Sequence, residues 1–267
     1  MARVLLVVAV FFILFGCGQV SPPPGKAEKG GRAEQPTTLT PSGADRQETV
    51  LQAAGKQGGA SQAQKSAAGR FAVYLTFDDG PVRGDRPVVM QGRNAPLDGN
   101  TPEVLDVLHK YRVKATFFVV GEQVQKYPGL VRREYSEGHS VQNHTYTHSN
   151  LTKRSNAEIA RELHATNQAI TEAGVPKPSR FRPPYGLTDD RVSSVGASLG
   201  LRQIRWTNPA SRDWEDPPAP VICKRVVSSV QPGSVVLLHD GTGANTDDAL
   251  PCIIKELRAN GYEFAKL

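Results

Sequence analysis

From Arg70 to the C-terminus, short apolar runs exchange places with segments whose apolar residues recur at helical spacing. Phe71–Phe77 (Phe-Ala-Val-Tyr-Leu-Thr-Phe) reads as a buried strand, and Ala115–Val120 reads as another. Between them, Thr101-Pro102-Glu103 opens a helix with a hydroxyl cap and Pro in its first turn, running to about Tyr111. Ser155-Asn156-Ala157-Glu158 has the form of a capping box and starts a helix through Glu172, closed by Gly174. Further helices fit Asp189–Leu199, Pro220–Val230 and Asp247–Ala259, and further strands fit Arg202–Trp206, Ser234–Leu238 and Glu263–Lys266. Such alternation predicts an α/β fold on a mostly parallel sheet, open or closed into a barrel. Val82–Gly99, rich in Arg, Pro, Gly and Asn, breaks the pattern as a long irregular loop, a kind that is often functional.

The N-terminal part follows other rules. Val4–Phe15 is an unbroken apolar run after Arg3, too short to span a bilayer at about 20 residues but suited to a signal-peptide core. Leu14-Phe15-Gly16-Cys17 resembles a bacterial lipoprotein cleavage box, with Cys17 as the acylated residue; ordinary secretion with an incidental Cys is the alternative. Either way the chain is expected to be exported, as a membrane-anchored envelope lipoprotein or as a secreted protein. Residues 18–69 contain no Phe, Trp or Tyr and are dominated by Gly, Ala, Gln, Pro, Ser and Lys. A segment of that kind buries too little apolar area to offset its chain entropy, so it is expected to be a disordered tether with a reach of roughly 40 Å. The expected organisation is thus a signal peptide over 1–17, a linker over 18–69 and one folded domain over 70–267.

Charge narrows the field only slightly. The formal net charge of +6 divides evenly between residues 1–69 and residues 70–267, and no dense block of Lys and Arg is interleaved with aromatics. That speaks against a nucleic-acid partner and is compatible with an anionic wall polymer. Cys223 and Cys252 are the only cysteines of the folded part, each in an expected helix beside apolar neighbours. Outside the cytoplasm they could form a disulfide; otherwise they are small core residues.

Candidate chemistry sits at the ends of the expected strands, where parallel α/β folds place their sites. Thr76-Phe77-Asp78-Asp79-Gly80-Pro81 ends the first strand with two adjacent carboxylates, which point in different directions; Asp-Gly-Pro is also ordinary turn chemistry. Asn143-His144-Thr145-Tyr146-Thr147-His148 sets two imidazoles four residues apart. On one face of a helical turn they could share a zinc ion, although no Glu follows His144 to serve as a base. His109, His139 and His164 have no such company and read as structural. Arg182-Pro183-Pro184-Tyr185-Gly186 offers a cation beside a stiffened turn whose next N–H could face an oxyanion. Asp213-Trp214 follows, and Leu237-Leu238-His239-Asp240-Gly241 ends another strand with a candidate acid or base.

In this order the five motifs resemble those of the NodB-type polysaccharide deacetylases of carbohydrate esterase family 4, over nearly the whole folded part. The resemblance implies a distorted (β/α) barrel. It implies that Asp79, His144 and His148 hold a divalent metal, usually zinc, and that Asp78 is the general base, oriented by Arg182. It implies that the Tyr185 backbone N–H helps hold the oxyanion and that His239 protonates the leaving amine, its pKa tuned by Asp213. Trp214 and Leu237 would wall the slot for the acetyl methyl. Members often carry a second Asp ahead of the Asp-Trp pair; Trp206–Trp214 lacks it here and is a residue longer.

The chemistry asks for these residue types. An amide needs an activated water and a proton donor for its poor leaving group; a metal lowers the pKa of water to about 7, a carboxylate takes a proton and a histidine supplies one. The leading expectation is therefore hydrolysis of N-acetyl groups from N-acetylhexosamine residues of an extracytoplasmic polysaccharide, with peptidoglycan the first candidate and a chitin-like polymer the next. The alternatives are an O-acetyl esterase on an acetylated glycan and a catalytically inactive glycan-binding module.

Overall fold

The computed structural model describes residues 71–84 and 99–267. The signal segment, Cys17, the linker 18–69 and most of the Val82–Gly99 loop lie outside the described residues. Among the described residues, no helix is long and apolar enough to cross a membrane.

Among the described residues, seven parallel strands form one sheet: β1 (Phe71–Asp78), β2 (Thr116–Val119), β3 (Ser140–Asn143), β4 (Arg180–Phe181), β5 (Arg202–Gln203), β6 (Val235–His239) and β7 (Tyr262–Ala265). Their order is β5-β4-β3-β2-β1-β6, and β7 pairs with the first half of β1 while β2 pairs with the second. The described helices are α1 (Thr101–Tyr111), α2 (Gly121–Lys126), α3 (Pro128–Ser136), α4 (Asn156–Glu172), α5 (Asp190–Ser198), α6 (Ala219–Ser229) and α7 (Thr246–Ala259). The expected strand Arg202–Trp206 stops at Gln203, because the chain then leaves β4 and crosses to the free edge of β6. There the amides of Thr207 and Asn208 donate to the Val235 carbonyl at 3.1 Å, and Leu237 N–H donates back to Asn208 at 3.0 Å. This crossing curls the sheet toward closure, which is the distortion of the (β/α) barrel.

Alternation along the strands divides the molecule. Val73, Leu75 and Phe77 of β1, Phe117 and Val119 of β2, and Val236 and Leu238 of β6 join the main core beneath the helices, with Val104, Leu105, Leu108, Ile253, Ile254 and Leu257 opposite them. A smaller core of Leu151, Ile159, Leu163, Phe181, Val192 and Leu201 fixes α4 and α5. Successive side chains leave a strand on opposite faces, so Thr76, Asp78, Leu237 and His239 face the barrel interior. The core thus orients the polar set.

Local signals explain the element ends. Ser155 and Glu158 form the reciprocal capping box at α4, worth about 1 kcal/mol. Asp189 caps α5 by accepting from Val192 N–H at 2.9 Å. Helices α2 and α3 and strand β3 were not expected, although Pro128 stands in the first turn of α3. Cys223 on α6 and Cys252 on α7 form a disulfide, with Cα atoms 5.9 Å apart, which decides between the two readings of that pair. His139 is structural, as expected: its buried Nδ1 accepts the Ala115 N–H at 3.1 Å.

Candidate active site

Strand β1 ends in Asp78, which faces His239 of β6 in register. Neighbouring strands lie about 4.7–4.9 Å apart, so the two side chains rise side by side from the sheet. Just beyond, the chain turns sharply. Asp79 adopts a left-handed φ of 74°, which swings its carboxylate away from that of Asp78. The turn is possible because two close approaches are made by glycines. A Cβ on Gly80 would lie 2.1 Å from the Asp240 carboxylate, and one on Gly241 would lie 2.3 Å from the Asp79 carbonyl group.

Asp78 is held from one side. Arg182 Nη1 donates to its Oδ1 at 2.6 Å and to Thr76 Oγ1 at 2.9 Å. The guanidinium is fully buried, 4.1 Å from the centre of the Phe118 ring and 5.7 Å from that of Trp206. Burial lowers its pKa and the ion pair with Asp78 opposes that shift. An arginine keeps its charge under such conditions, so Asp78 is held in an ion pair with Oδ2 turned toward His144, 3.7 Å away.

Asp79, His144 and His148 offer ligand atoms within 4.8 Å of one another, all buried. One oxygen, Asp79 Oδ1, lies 3.1 Å from His148 Nε2 and 3.5 Å from His144 Nε2. His144 Nδ1 sits 2.8 Å from the Arg182 carbonyl, which can only accept. A proton is therefore on Nδ1, and Nε2 faces the carboxylate: carrying a proton it donates to Asp79, and without one it offers its lone pair to a metal. Burial pushes the Asp79 carboxyl up, but His148 and the bonds to both imidazoles outweigh it and hold the group well below the ordinary carboxylate range. Two imidazole nitrogens and one carboxylate oxygen converging on one buried point suit a divalent transition metal.

The two histidines do not share a helical turn, contrary to the expectation from their spacing. Residues 144–148 form a loop in which Thr145 (φ 69°) and His148 (φ 57°) are left-handed. Neighbouring elements supply the hydrogen bonds a helix would have made. The first two amides of α2 donate to the carbonyls of Thr145 and Tyr146 at 3.0 and 3.1 Å. Glu162 of α4 accepts from the amides of Tyr146 and Thr147, both at 2.9 Å, and Asn143 Oδ1 accepts from Thr145 N–H at 2.8 Å.

On the opposite flank, His239 is tied to Asp213. Its Nδ1 lies 2.9 Å from Asp213 Oδ1, and its backbone N–H donates to Oδ2 at 2.7 Å. Burial lowers the imidazole pKa, but the charge and hydrogen bond of Asp213, aided by Asp79 and Asp78, push it up to about 9. The missing second Asp has therefore not cost the chain this pair: Ser211 Oγ reaches Asp213 Oδ1 at 3.2 Å, and Thr246 Oγ1 reaches Oδ2 at 2.8 Å. Trp214 sets its ring edge-on to His239 at 5.5 Å, and Leu237 is buried two residues before His239 on β6. Tyr185 adopts φ 60° after the Pro-Pro pair and lays its ring edge-on to His148 at 4.8 Å.

All ten residues singled out in the sequence thus gather at the ends of β1, β3, β4 and β6. Sequence reasoning missed the groups that hold them: Thr76, Glu162, Ser211, Thr242 and Thr246. Thr76 opens the Thr76–Pro81 motif but was given no role; no motif marks the others, since a lone hydroxyl or a helix-surface Glu carries no spacing signal.

Residues 65–204 match the family model described as "Polysaccharide deacetylase", over half of the chain. The chain belongs to the polysaccharide deacetylase family. It is a NodB-type member of carbohydrate esterase family 4, and its activity class is that of a polysaccharide N-deacetylase. A chitooligosaccharide deacetylase of Sinorhizobium fredii is 42% identical over 68% of this deacetylase and 80% of its own length. The peptidoglycan-N-acetylglucosamine deacetylase PgdA of Listeria monocytogenes is 35% identical over 73% of this chain and 38% of its own. The solved family 4 carbohydrate esterase from Streptomyces lividans, in complex with acetate, superposes with a TM-score of 0.63 at 35% identity, covering 72% of this chain and 90% of that one.

Proposed function

We propose that this deacetylase removes N-acetyl groups from N-acetylglucosamine-type residues of peptidoglycan, outside the membrane, with zinc held by Asp79, His144 and His148. One observation carries the reading. Asp78, held by Arg182, and His239, charged through Asp213, stand in register on adjacent strands beside the three converging ligands. When bound, the cation supplies Lewis-acid polarisation of the acetamide carbonyl and lowers the pKa of water.

The chain's own groups supply the rest. Asp78 Oδ2 faces the centre and takes a proton from the attacking water, while Arg182 keeps Oδ1 occupied and the carboxylate plane fixed. The Tyr185 backbone N–H, directed by the Pro-Pro turn, donates to the oxygen that gains charge. His239, protonated up to about pH 9, gives its proton from Nε2 to the departing nitrogen, and Asp213 stabilises the imidazolium until that moment. Trp214 and Leu237 enclose the acetyl methyl. No serine or cysteine nucleophile is required.

The substrate and location rest on sequence. The apolar run Val4–Phe15 and Cys17 support export and lipid anchoring, which would bring the domain to the cell wall. The Listeria relative is named for peptidoglycan, whereas the Sinorhizobium relative, at higher identity, is named for chitooligosaccharides and favours the second reading. Mass spectrometry after incubation with muropeptides, chitooligosaccharides, β-1,6-linked N-acetylglucosamine and acetylated xylan separates them. Loss of acetyl mass from muropeptides supports the proposal. Loss from chitooligosaccharides alone moves the substrate, loss from xylan alone makes it an O-acetyl esterase, and tight glycan binding with no loss makes it a binding module.

A further inference from the structure

The loop from β6 to α7, Asp240–Asn245, and the first residue of α7 reach two carboxylates of the site, Asp79 and Asp213. Thr242 is buried, and its Oγ1 donates to Asp79 Oδ2 at 3.0 Å, the oxygen turned away from the imidazoles. Four residues on, Thr246 opens α7, is fully buried, and donates through Oγ1 to Asp213 Oδ2 at 2.8 Å. Between them, Gly243 (φ 110°) brings the backbone so close that a Cβ there would lie 2.8 Å from Thr246 Oγ1 and 3.3 Å from Asp213 Oδ2. The loop is fastened to the base side as well, since the amides of Asp240 and Gly241 donate to the Asp78 carbonyl at 3.2 and 3.3 Å.

A carboxylate with one oxygen bound by a hydroxyl has its rotation about the Cβ–Cγ bond restricted, so the other oxygen keeps a fixed direction. For Asp79 that other oxygen is Oδ1, the atom facing His144 and His148. For Asp213 the held oxygen, Oδ2, also accepts from the His239 backbone, which leaves Oδ1 aimed at the imidazole Nδ1.

We infer that Thr242 and Thr246 are positioning residues for opposite halves of the reaction, Thr242 aligning Asp79 for the metal and Thr246 aligning Asp213 for His239. The inference rests on the site assignment above and adds a division of labour within one loop. Outer hydrogen bonds of this kind are worth 10–100-fold in metal affinity, whereas a lost hydrogen bond to a charged group costs about tenfold in the step it serves.

The test compares Thr242→Val and Thr246→Val in the full-length protein, with Thr242→Ser and Thr246→Ser as conservative partners. Three readouts are used: zinc affinity by competition with a chromophoric chelator, kcat and KM for acetate release, and the downfield proton resonance of the His239 Nδ1–H. Thr242→Val is expected to weaken zinc binding about 10–100-fold, by the outer-shell effect, with the His239 resonance unmoved. Thr246→Val is expected to keep zinc affinity, shift or broaden that resonance and lower kcat about tenfold at constant KM. Both Ser variants restore wild-type behaviour. Wild-type zinc affinity in Thr242→Val, an unmoved resonance in Thr246→Val, or loss of both properties in both variants overturns the inference. The zinc and resonance readouts do not depend on turnover, so a wild-type protein that released no acetate would sink the deacetylase reading and leave this one standing.

Discussion

The two flanks of the site are built differently. On one, Asp213 accepts from His239 twice, from Ser211 and from Thr246, so the acid pair is complete within the protein. On the other, Asp79, His144 and His148 crowd lone pairs and negative charge around one buried point. The acid flank is pre-organised by hydrogen bonds, and the metal flank by backbone strain and an external frame, with left-handed residues at Asp79, Thr145 and His148. The first should keep its geometry whether or not a cation is present; the second should depend on one. On the proposed function, the centre places its proton donor permanently while leaving its Lewis acid exchangeable.

The largest effect expected is on the metal flank. His144→Ala or His148→Ala removes one of three ligands and should abolish both zinc binding and acetate release, measured by chelator competition and an acetate assay. Asp78→Asn should retain zinc but lower kcat by roughly 10²–10⁴-fold, the usual contribution of a positioned base. If it kept wild-type turnover, the assignment of the base would be wrong.

On the acid flank, Asp213→Asn should leave zinc affinity unchanged and alter the pH profile. In the proposed mechanism His239 must be protonated to act, and Asp213 pushes its pKa up to about 9. Removing that charge lowers the pKa, so the protonated fraction is lost earlier as pH rises. The alkaline limb of kcat moves to lower pH. An unmoved limb would show that another group donates the proton.

The smallest effect on chemistry comes from the disulfide, which spans 29 residues of chain that include β6 and His239. Loop-closure entropy gives it about 3–4 kcal/mol of stability. Cys223→Ser with Cys252→Ser should lower the melting temperature, seen by calorimetry, while zinc affinity and kcat at 25 °C stay near wild type.

How much of this was legible in the chain follows a physical pattern. Strand β1, helix α1, the Ser155 capping box and β6 were readable because apolar periodicity, Pro in a first turn and a capping box are local signals. The expected Thr101 cap of α1 was not one: Thr101 lies inside the helix, Asn100 precedes it without a side-chain cap, and the Thr101 hydroxyl bonds Val82 N–H and Asp240 instead. The site's primary residues were readable because they cluster in motifs at strand ends. The His144–His148 pair shows the limit: the spacing was right, yet the helical turn inferred from it was not. Glu162 and the α2 amides stabilise a loop there, and both come from elsewhere in the sequence. Thr242 and Thr246 were invisible for the same reason, since a hydroxyl acquires its role only when folding brings a carboxylate to it. The crossing of Thr207–Asn208 to β6 was hidden too, because the residues after Gln203 still look like strand.

The most direct test of the account is anomalous diffraction at the zinc edge from crystals grown with zinc. The account predicts one strong peak bonded to Asp79, His144 and His148, with Asp78 and His239 beside it. No peak there at saturating zinc, with the three side chains in the positions described, would contradict it.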